Sequence, residues 1–197
     1  MEFVESFMKF SFPDDDVFLI EKDDLVTSHD GRKACECVVW LNEHVALIEA
    51  KSSTPNPRNE EDYNGFFEDI RDKFATSLVL FNDIRSHKFG EEAFCRLPVH
   101  LRQIPTEGGD YAIYLIVHGH QDDWMPGLQD TFKTIMHDVI TRWNIRDTNV
   151  KALNHTSAKV LNLIVDYIPA EELTSFRDEK TNQILWEKVV HWFEYHQ

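Results

Sequence analysis

Apolar positions along the chain recur with two periods, and the change of period marks the elements. Between Ala34 and Ser53 the run ACECVVWLNEHVALIEAKSS alternates as two β-strands, Ala34 to Leu41 and His44 to Ser52, joined by Asn42-Glu43. Upstream, Val17-Phe18-Leu19-Ile20 begins a strand that continues through Glu21 to about Val26, and Ser28-His29-Asp30-Gly31 reads as a hairpin turn. Residues 1–12 fit two patterns. Phe3, Phe7 and Phe10, or Val4 and Met8, stand at helical spacing, whereas Phe10 and Phe12 alternate as on a strand. Pro13 and Asp14-Asp15-Asp16 close the segment with a turn or a helix cap.

Beyond the hairpin, Ser52-Ser53-Thr54-Pro55-Asn56-Pro57 breaks the sheet, since proline donates nothing to a ladder. Asn59 then caps a long helix from Glu60 to about Ile84, whose stripe is Phe66, Phe67, Ile70, Phe74, Leu78 and Phe81. Residues 94–104, with Arg96, His100 and Arg102, read as a loop or short helix, and Tyr111 to His118 as a buried strand. A helix from Leu128 to Trp143, a strand from Val160 to Tyr167 and a final helix from about Leu173 to Tyr195 complete the pattern. The last helix is apolar over a wide arc, which suits a core position or an oligomer interface. Alternating strands and helices after residue 59 predict an α/β fold with a mixed sheet and helices on both faces.

The hairpin also carries the candidate chemistry. Side chains alternate faces on a strand, so Glu36 shares one with Val38 and Trp40, opposite Cys35, Cys37 and Val39, while Leu47, Glu49 and Lys51 share another. A turn of two or four residues pairs Val38 with Leu47 and Glu36 with Glu49, with Cβ atoms roughly 5 Å apart. Two facing carboxylates are costly unless a cation or a proton resolves them. Two acids and a lysine so fixed form the donor set of a Mg²⁺-dependent phosphodiesterase: hard oxygens hold the ion, and the ammonium orients water or neutralises developing charge. The plainer alternative is a solvent-facing hairpin whose charges keep an edge soluble, against which the run Val45-Ala46-Leu47-Ile48 reads as interior.

Other residues are candidates around this centre. Glu21 has the parity to share a face with Glu36. A simple turn at Asp30-Gly31, however, sets Leu25 opposite Glu36, puts Glu21 roughly 13 Å along the strand and leaves Asp23 nearer. Either acid is a candidate third ligand, or an exposed acid near a strand end. Ser52 and Ser53 stand at the mouth of the site as phosphate contacts or plain turn residues. Lys73 is a phosphate contact or the partner of Asp69 in an i,i+4 ion pair. His118 and His120 near Asp122 and Asp123 invite a second metal reading, against which Gly119 and the polar run indicate a loop.

Glu36, twelve residues, then Glu49-Ala50-Lys51 resembles the PD-(D/E)XK nuclease superfamily, in which an acid on one strand and a D/E-x-K triplet on the next bind metal and cut nucleic acid. Glu36 stands where Asp is usual and follows Cys35 where the family has Pro. The resemblance implies a restriction-endonuclease-like mixed sheet flanked by helices, with residues 1–197 as a single domain. It implies Mg²⁺ or Mn²⁺ held by Glu36, Glu49 and the Ala50 carbonyl, with Lys51 positioning water. It further implies phosphodiester hydrolysis, in DNA rather than RNA, in a bacterial defence or restriction-type role. The alternative is a catalytically degenerate relative serving as a binding or assembly subunit.

Net charge complicates the nuclease expectation. The formal charge is -15, with acids clustered at Asp14-Asp15-Asp16, Glu60-Glu61-Asp62 and Glu171-Glu172, and only small basic groupings at Arg32-Lys33 and from Arg96 to Arg102. A protein that grips DNA alone usually carries a basic patch, so a local groove, a homo-oligomer or a partner subunit is expected to supply the grip. Three cysteines do not suggest a disulfide framework, and no second Cys/His pair joins Cys35 and Cys37 at zinc-finger spacing. They read as small core residues. No apolar run approaches the ~20 residues of a membrane span, and the N-terminus has acids where a signal peptide is basic. A cytoplasmic protein without a membrane partner is expected.

Overall fold

A computed structural model describes residues 1–28, 31–104, 110–178 and 181–195. The protein is mixed α/β with two sheets. Strands β1 (Glu2–Glu5), β2 (Met8–Ser11), β3 (Val17–Phe18), β4 (Cys37–Leu41), β5 (His44–Lys51), β6 (Tyr111–Val117), β7 (Val150–Asn154) and β8 (Asp166–Tyr167) divide between them. The small sheet is antiparallel, in the order β1-β2-β8. The large one runs β3-β4-β5-β6-β7. Within it β3, β4 and β5 are antiparallel, whereas β6 runs parallel to β5 and β7 parallel to β6.

The helices are α1 (Asp24–Thr27), α2 (Glu60–Arg85), α3 (Gly90–Arg96), α4 (Val99–Gln103), α5 (Met125–Ile135), α6 (His137–Arg142), α7 (His155–Val160) and α8 (Trp186–Tyr195). A parallel strand cannot follow its neighbour by a tight turn, and the connection from β5 to β6 runs through α2. Phe67, Ile70, Phe74, Leu78 and Phe81 of α2 are buried in one core with Val38, Leu47, Ile113 and Leu115, which Leu128 and Phe132 of α5 complete. Cys37, Val39, Ile48, Ala50 and Ile116 form a second core, packed with Met8, Phe10 and Phe12 of the N-terminal hairpin. Among the described residues no helix is long and apolar enough to cross a membrane.

The β4–β5 hairpin has the predicted register, Val38 opposite Leu47. Asn42 (φ 49°) and Glu43 (φ 66°) are both left-handed, the two-residue turn whose twist matches antiparallel strands. Residues 1–12 take the strand alternative, turning at Ser6 (φ 50°) and Phe7 (φ 64°).

Elsewhere local chemistry overrides the pattern. The strand predicted to reach Val26 stops at Phe18, because the Asp23 side chain accepts from Leu25 N at 2.9 Å and caps α1. Leu25 therefore never faces Glu36. Of the predicted Ser28–Gly31 turn, His29 and Asp30 lie outside the described residues. The strand predicted at Val160–Tyr167 is displaced: Asn154 accepts from Ser157 N at 2.8 Å and starts α7, which runs to Val160. Asn162 (φ 56°) then turns the chain, and only Asp166–Tyr167 pairs. The sheet takes Val150–Asn154 instead. The helix predicted from Leu128 to Trp143 is two helices meeting at Met136, and the final one shortens to α8, preceded by a 3-10 turn over Ala170–Phe176.

Candidate active site

Glu49 is the third residue from the end of β5, a central strand, and it is 0 % exposed. A solvent-facing hairpin edge does not describe that position. Lys51 Nζ lies 2.7 Å from Glu49 Oε1, and Lys73 Nζ, from α2, lies 2.9 Å from the same oxygen. Both approach outside hydrogen-bond geometry, so the attraction is one of charge, and Oε2 has no hydrogen-bond partner among the described residues.

Glu36 immediately precedes β4 and is 8 % exposed. The last rung of the β4–β5 ladder is Cys37 opposite Ile48; Glu36 lies one residue beyond it, outside the ladder, and near enough to Glu49 to feel its charge. Its carboxyl is pushed up to about 10 by burial, then by the charges of Glu49 and Glu5 and by its bond to Glu21. A carboxyl so raised keeps its proton and donates it to Glu21. Burial raises Glu21 as well, but the bonds from Glu36 and Lys73 outweigh it and hold its carboxyl below the usual range. Burial alone would lower Lys73, yet Glu49, Glu21 and Glu36 raise it overall. The approach to Glu36 is fastened from behind: Cys35 N donates to Ser77 Oγ at 2.9 Å, and that hydroxyl donates to Lys73 O at 2.8 Å.

The N-terminal hairpin contributes two residues the sequence pattern did not point to. Ser6 Oγ donates to Ala50 O at 3.1 Å, and the Glu5 carboxylate accepts from Ser6 N at 3.0 Å. Glu5 is raised by burial, against the Ser6 bond and with help from Glu21 and Glu49. Ser-Phe at a left-handed turn carries none of the Asn-Gly signature that marks such turns, so nothing local announced it.

Several expectations change. Lys73 does not pair with Asp69. It lies 3.3 Å from Glu21 Oε1 as well as beside Glu49, while Asp69 pairs with Lys33, because the buried carboxylate holds the ammonium more strongly than a solvated neighbour one turn away. Glu21 is brought to the site by the 3-10 turn at Ile20–Lys22. Asp23 is turned away from it, capping α1 and bonding Arg96 at 2.9 Å. Ser52 is half-buried and Ser53 exposed in the loop after β5. Cys35 packs with the α2 core and Cys37 with the opposite one, since the chain bends at Glu36 before the strand begins. The His118 ring bonds Ile168 O at 2.6 Å and Asp122 accepts from Asn154 Nδ2 at 2.6 Å, and among the described residues no His, Cys, Asp or Glu group gathers around them as a second metal site.

Carboxyl and carbonyl oxygens are the donors a Mg²⁺ or Mn²⁺ ion prefers, and the buried Oε2 of Glu49 has no hydrogen-bond partner among the described residues. The residue types therefore fit a hard cation. Among the described residues, no group of three His, Cys, Asp or Glu side chains is arranged to hold one, and Lys51 and Lys73 supply the positive charge at Glu49. The chain matches no protein-family model, no curated protein and no solved structure.

Proposed function

We propose that this chain is a metal-dependent nuclease of the PD-(D/E)XK type, with a restriction-endonuclease-like sheet, hydrolysing phosphodiester bonds in nucleic acid, DNA in preference to RNA. The observation that carries the reading is the placement of three residues. Glu49 and Lys51 lie at the end of β5, Glu36 immediately precedes β4 one residue beyond the ladder, and that pair of strands is followed by a crossover helix and a parallel strand.

Glu36, Glu49 and the Ala50 carbonyl would hold Mg²⁺ or Mn²⁺, with Glu21 as the adjacent third acid. When bound, the ion polarises the phosphate and activates water. The remaining work falls to the chain itself. Lys51, beside Glu49, would orient the attacking water or meet charge developing on the phosphate. Lys73, on the same carboxylate from the α2 side and also paired with Glu21, would serve as a second positive charge there. Ser52 and Ser53 flank the exit of β5, where a phosphate would enter. A defence or restriction-type role rests on the resemblance alone.

A second reading, a non-cutting relative that binds or assembles, is favoured by two ammoniums already saturating one oxygen of Glu49 and by the charge of -15. Incubation of plasmid and single-stranded DNA with Mg²⁺ or Mn²⁺, wild type against Lys51→Ala, separates the two. Cutting that falls by a factor on the order of 10² in a folded variant supports the nuclease. Full activity in Lys51→Ala removes the assignment of Lys51, and no cutting by wild type with either ion supports the second reading.

A further inference from the structure

The nuclease reading leaves open which form of nucleic acid the site takes. Resting on that reading, we propose that the substrate is single-stranded DNA, gripped through its bases by an aromatic cluster at the carboxyl ends of β6 and β7, with Trp124 as the principal platform.

Charge is the first argument. Duplex binding draws its affinity from lysines and arginines that displace counterions from phosphates. This chain carries -15 overall, and its candidate centre gathers four carboxyl groups, Glu5, Glu21, Glu36 and Glu49, around two ammoniums. Single and double strands are both polyanions and are repelled alike, so whatever holds either must act on something other than phosphate. Stacking on an aromatic face is that alternative, and it is open to any base that is free of a duplex.

Placement is the second. In the parallel ladders Lys51, Val117 and Asn154 stand in one row, and His118 N donates to Lys51 O at 2.8 Å. The segments leaving β6 and β7 therefore start beside the end of the catalytic strand, at about 5 Å per strand. They carry rings. Trp124 is 56 % exposed, an unusual state for the largest apolar side chain, and its ring meets His120 edge-on at 5.5 Å. His155, half-buried, lies 4.2 Å from the Tyr167 ring, over which Lys159 Nζ sits at 5.4 Å. Asn154 ties the two segments together by donating to His120 O at 3.2 Å and to Asp122 at 2.6 Å. Bases in a duplex are stacked on each other and present no free face, whereas a single strand threading past Lys51 can lay its bases on these rings.

The test is a titration in EDTA, so that nothing is cut. Oligothymidylate of about 15 nucleotides, a length within the span of known single-strand sites, is compared with a duplex of equal length, read by tryptophan fluorescence and by anisotropy of a labelled strand. Expected are tryptophan quenching, single-strand binding at least about tenfold tighter than duplex binding, an about tenfold loss in Trp124→Ala and retention of most affinity in Trp124→Phe. Melting temperatures should not change, since the side chain is mostly outside the core. Duplex binding equal to or tighter than single-strand binding overturns the inference, as does single-strand affinity indifferent to Trp124→Ala. Trp124-dependent single-strand binding without metal-dependent cutting supports this inference while removing the nuclease. Lys51-dependent cutting of duplex and single strand alike, indifferent to Trp124, does the reverse.

Discussion

Glu36 should exchange a proton for a cation. Burial and the neighbouring carboxylates hold it at about 10, so near neutral pH a divalent ion that binds Glu36 and Glu49 must first displace that proton. Each pKa unit is about 1.4 kcal/mol, so the displacement costs about 4 kcal/mol at a pH of about 7 and weakens apparent affinity by a factor on the order of 10³. Affinity for Mn²⁺ should then rise about tenfold per pH unit on the alkaline side of neutrality. Titration calorimetry in two buffers of different ionisation enthalpy should read about one proton released per ion bound. The metal-free protein carries the same signature with opposite sign. The folded chain holds a proton that the unfolded chain, at the ordinary value of 4.5, has lost. Stability therefore falls as pH rises through the interval from 4.5 to about 10. Glu36→Gln keeps the shape, removes the titration and should melt progressively higher than wild type as pH rises through that interval, with no Mn²⁺-induced shift. Affinity independent of pH, or a Gln variant that melts lower and keeps its metal shift, refutes the reasoning.

Three further outcomes follow from the same geometry. Lys73→Met strips one of the two ammoniums from a fully buried carboxylate and should cost about 3 kcal/mol in urea unfolding, and an unchanged midpoint would show that Glu49 does not need it. His118 is pushed down to about 4 by burial. Its contribution is thus present above the ordinary 6.5 and lost as pH falls toward 4, by up to about 3 kcal/mol. His118→Gln should show a smaller acid-side loss of urea midpoint than wild type, and equal losses would remove the claim. Duplex DNA should bind the dilute protein weakly at about 0.15 M salt and fall further with added salt, and tight binding there would mean that the acidic total hides a basic groove.

How much of this was legible depended on whether local and tertiary forces agreed. The β4–β5 hairpin was readable because its period-2 pattern, its two-residue turn and the burial of Val38 and Leu47 all specify one register. With the register came Glu36, Glu49 and Lys51, and the helical stripe gave α2. The end of β3 was not readable, because Asp23 offers the backbone a cap that competes with a ladder. The stretch VLNLIVDY looked more like a strand than VKALN, but Asn154 and Asn162 impose a helix start and a left-handed turn. Of the two sequence alternatives for Lys73, pairing with Asp69 is not the one the fold takes, since Asp69 is visible in sequence and a buried Glu49 is visible only in three dimensions.

The centre of the large sheet would be more stable without these groups. Burying a carboxylate requires a partner for each oxygen, and a buried ion pair rarely outperforms well-packed apolar side chains of the same volume. Here β5 itself is apolar through Val45–Ile48 and its neighbour β6 through Leu115–Val117, so an aliphatic residue at position 49 would simply extend the core that α2 already covers. The chain instead places Glu49 there, leaves Oε2 without a hydrogen bond, keeps Glu36 protonated beside it and commits two lysines from different elements to a single oxygen. Local rules broken together at one place, without a compensating gain in packing, are what a functional site costs a fold. The direction of the cost is informative as well: Glu36 holds a proton while Lys51 and Lys73 meet the charge of Glu49, so a cation could join these groups only by displacing that proton. On the nuclease reading, metal binding and the loss of that proton are one event, which gives the Glu36 titration its place ahead of any cleavage assay.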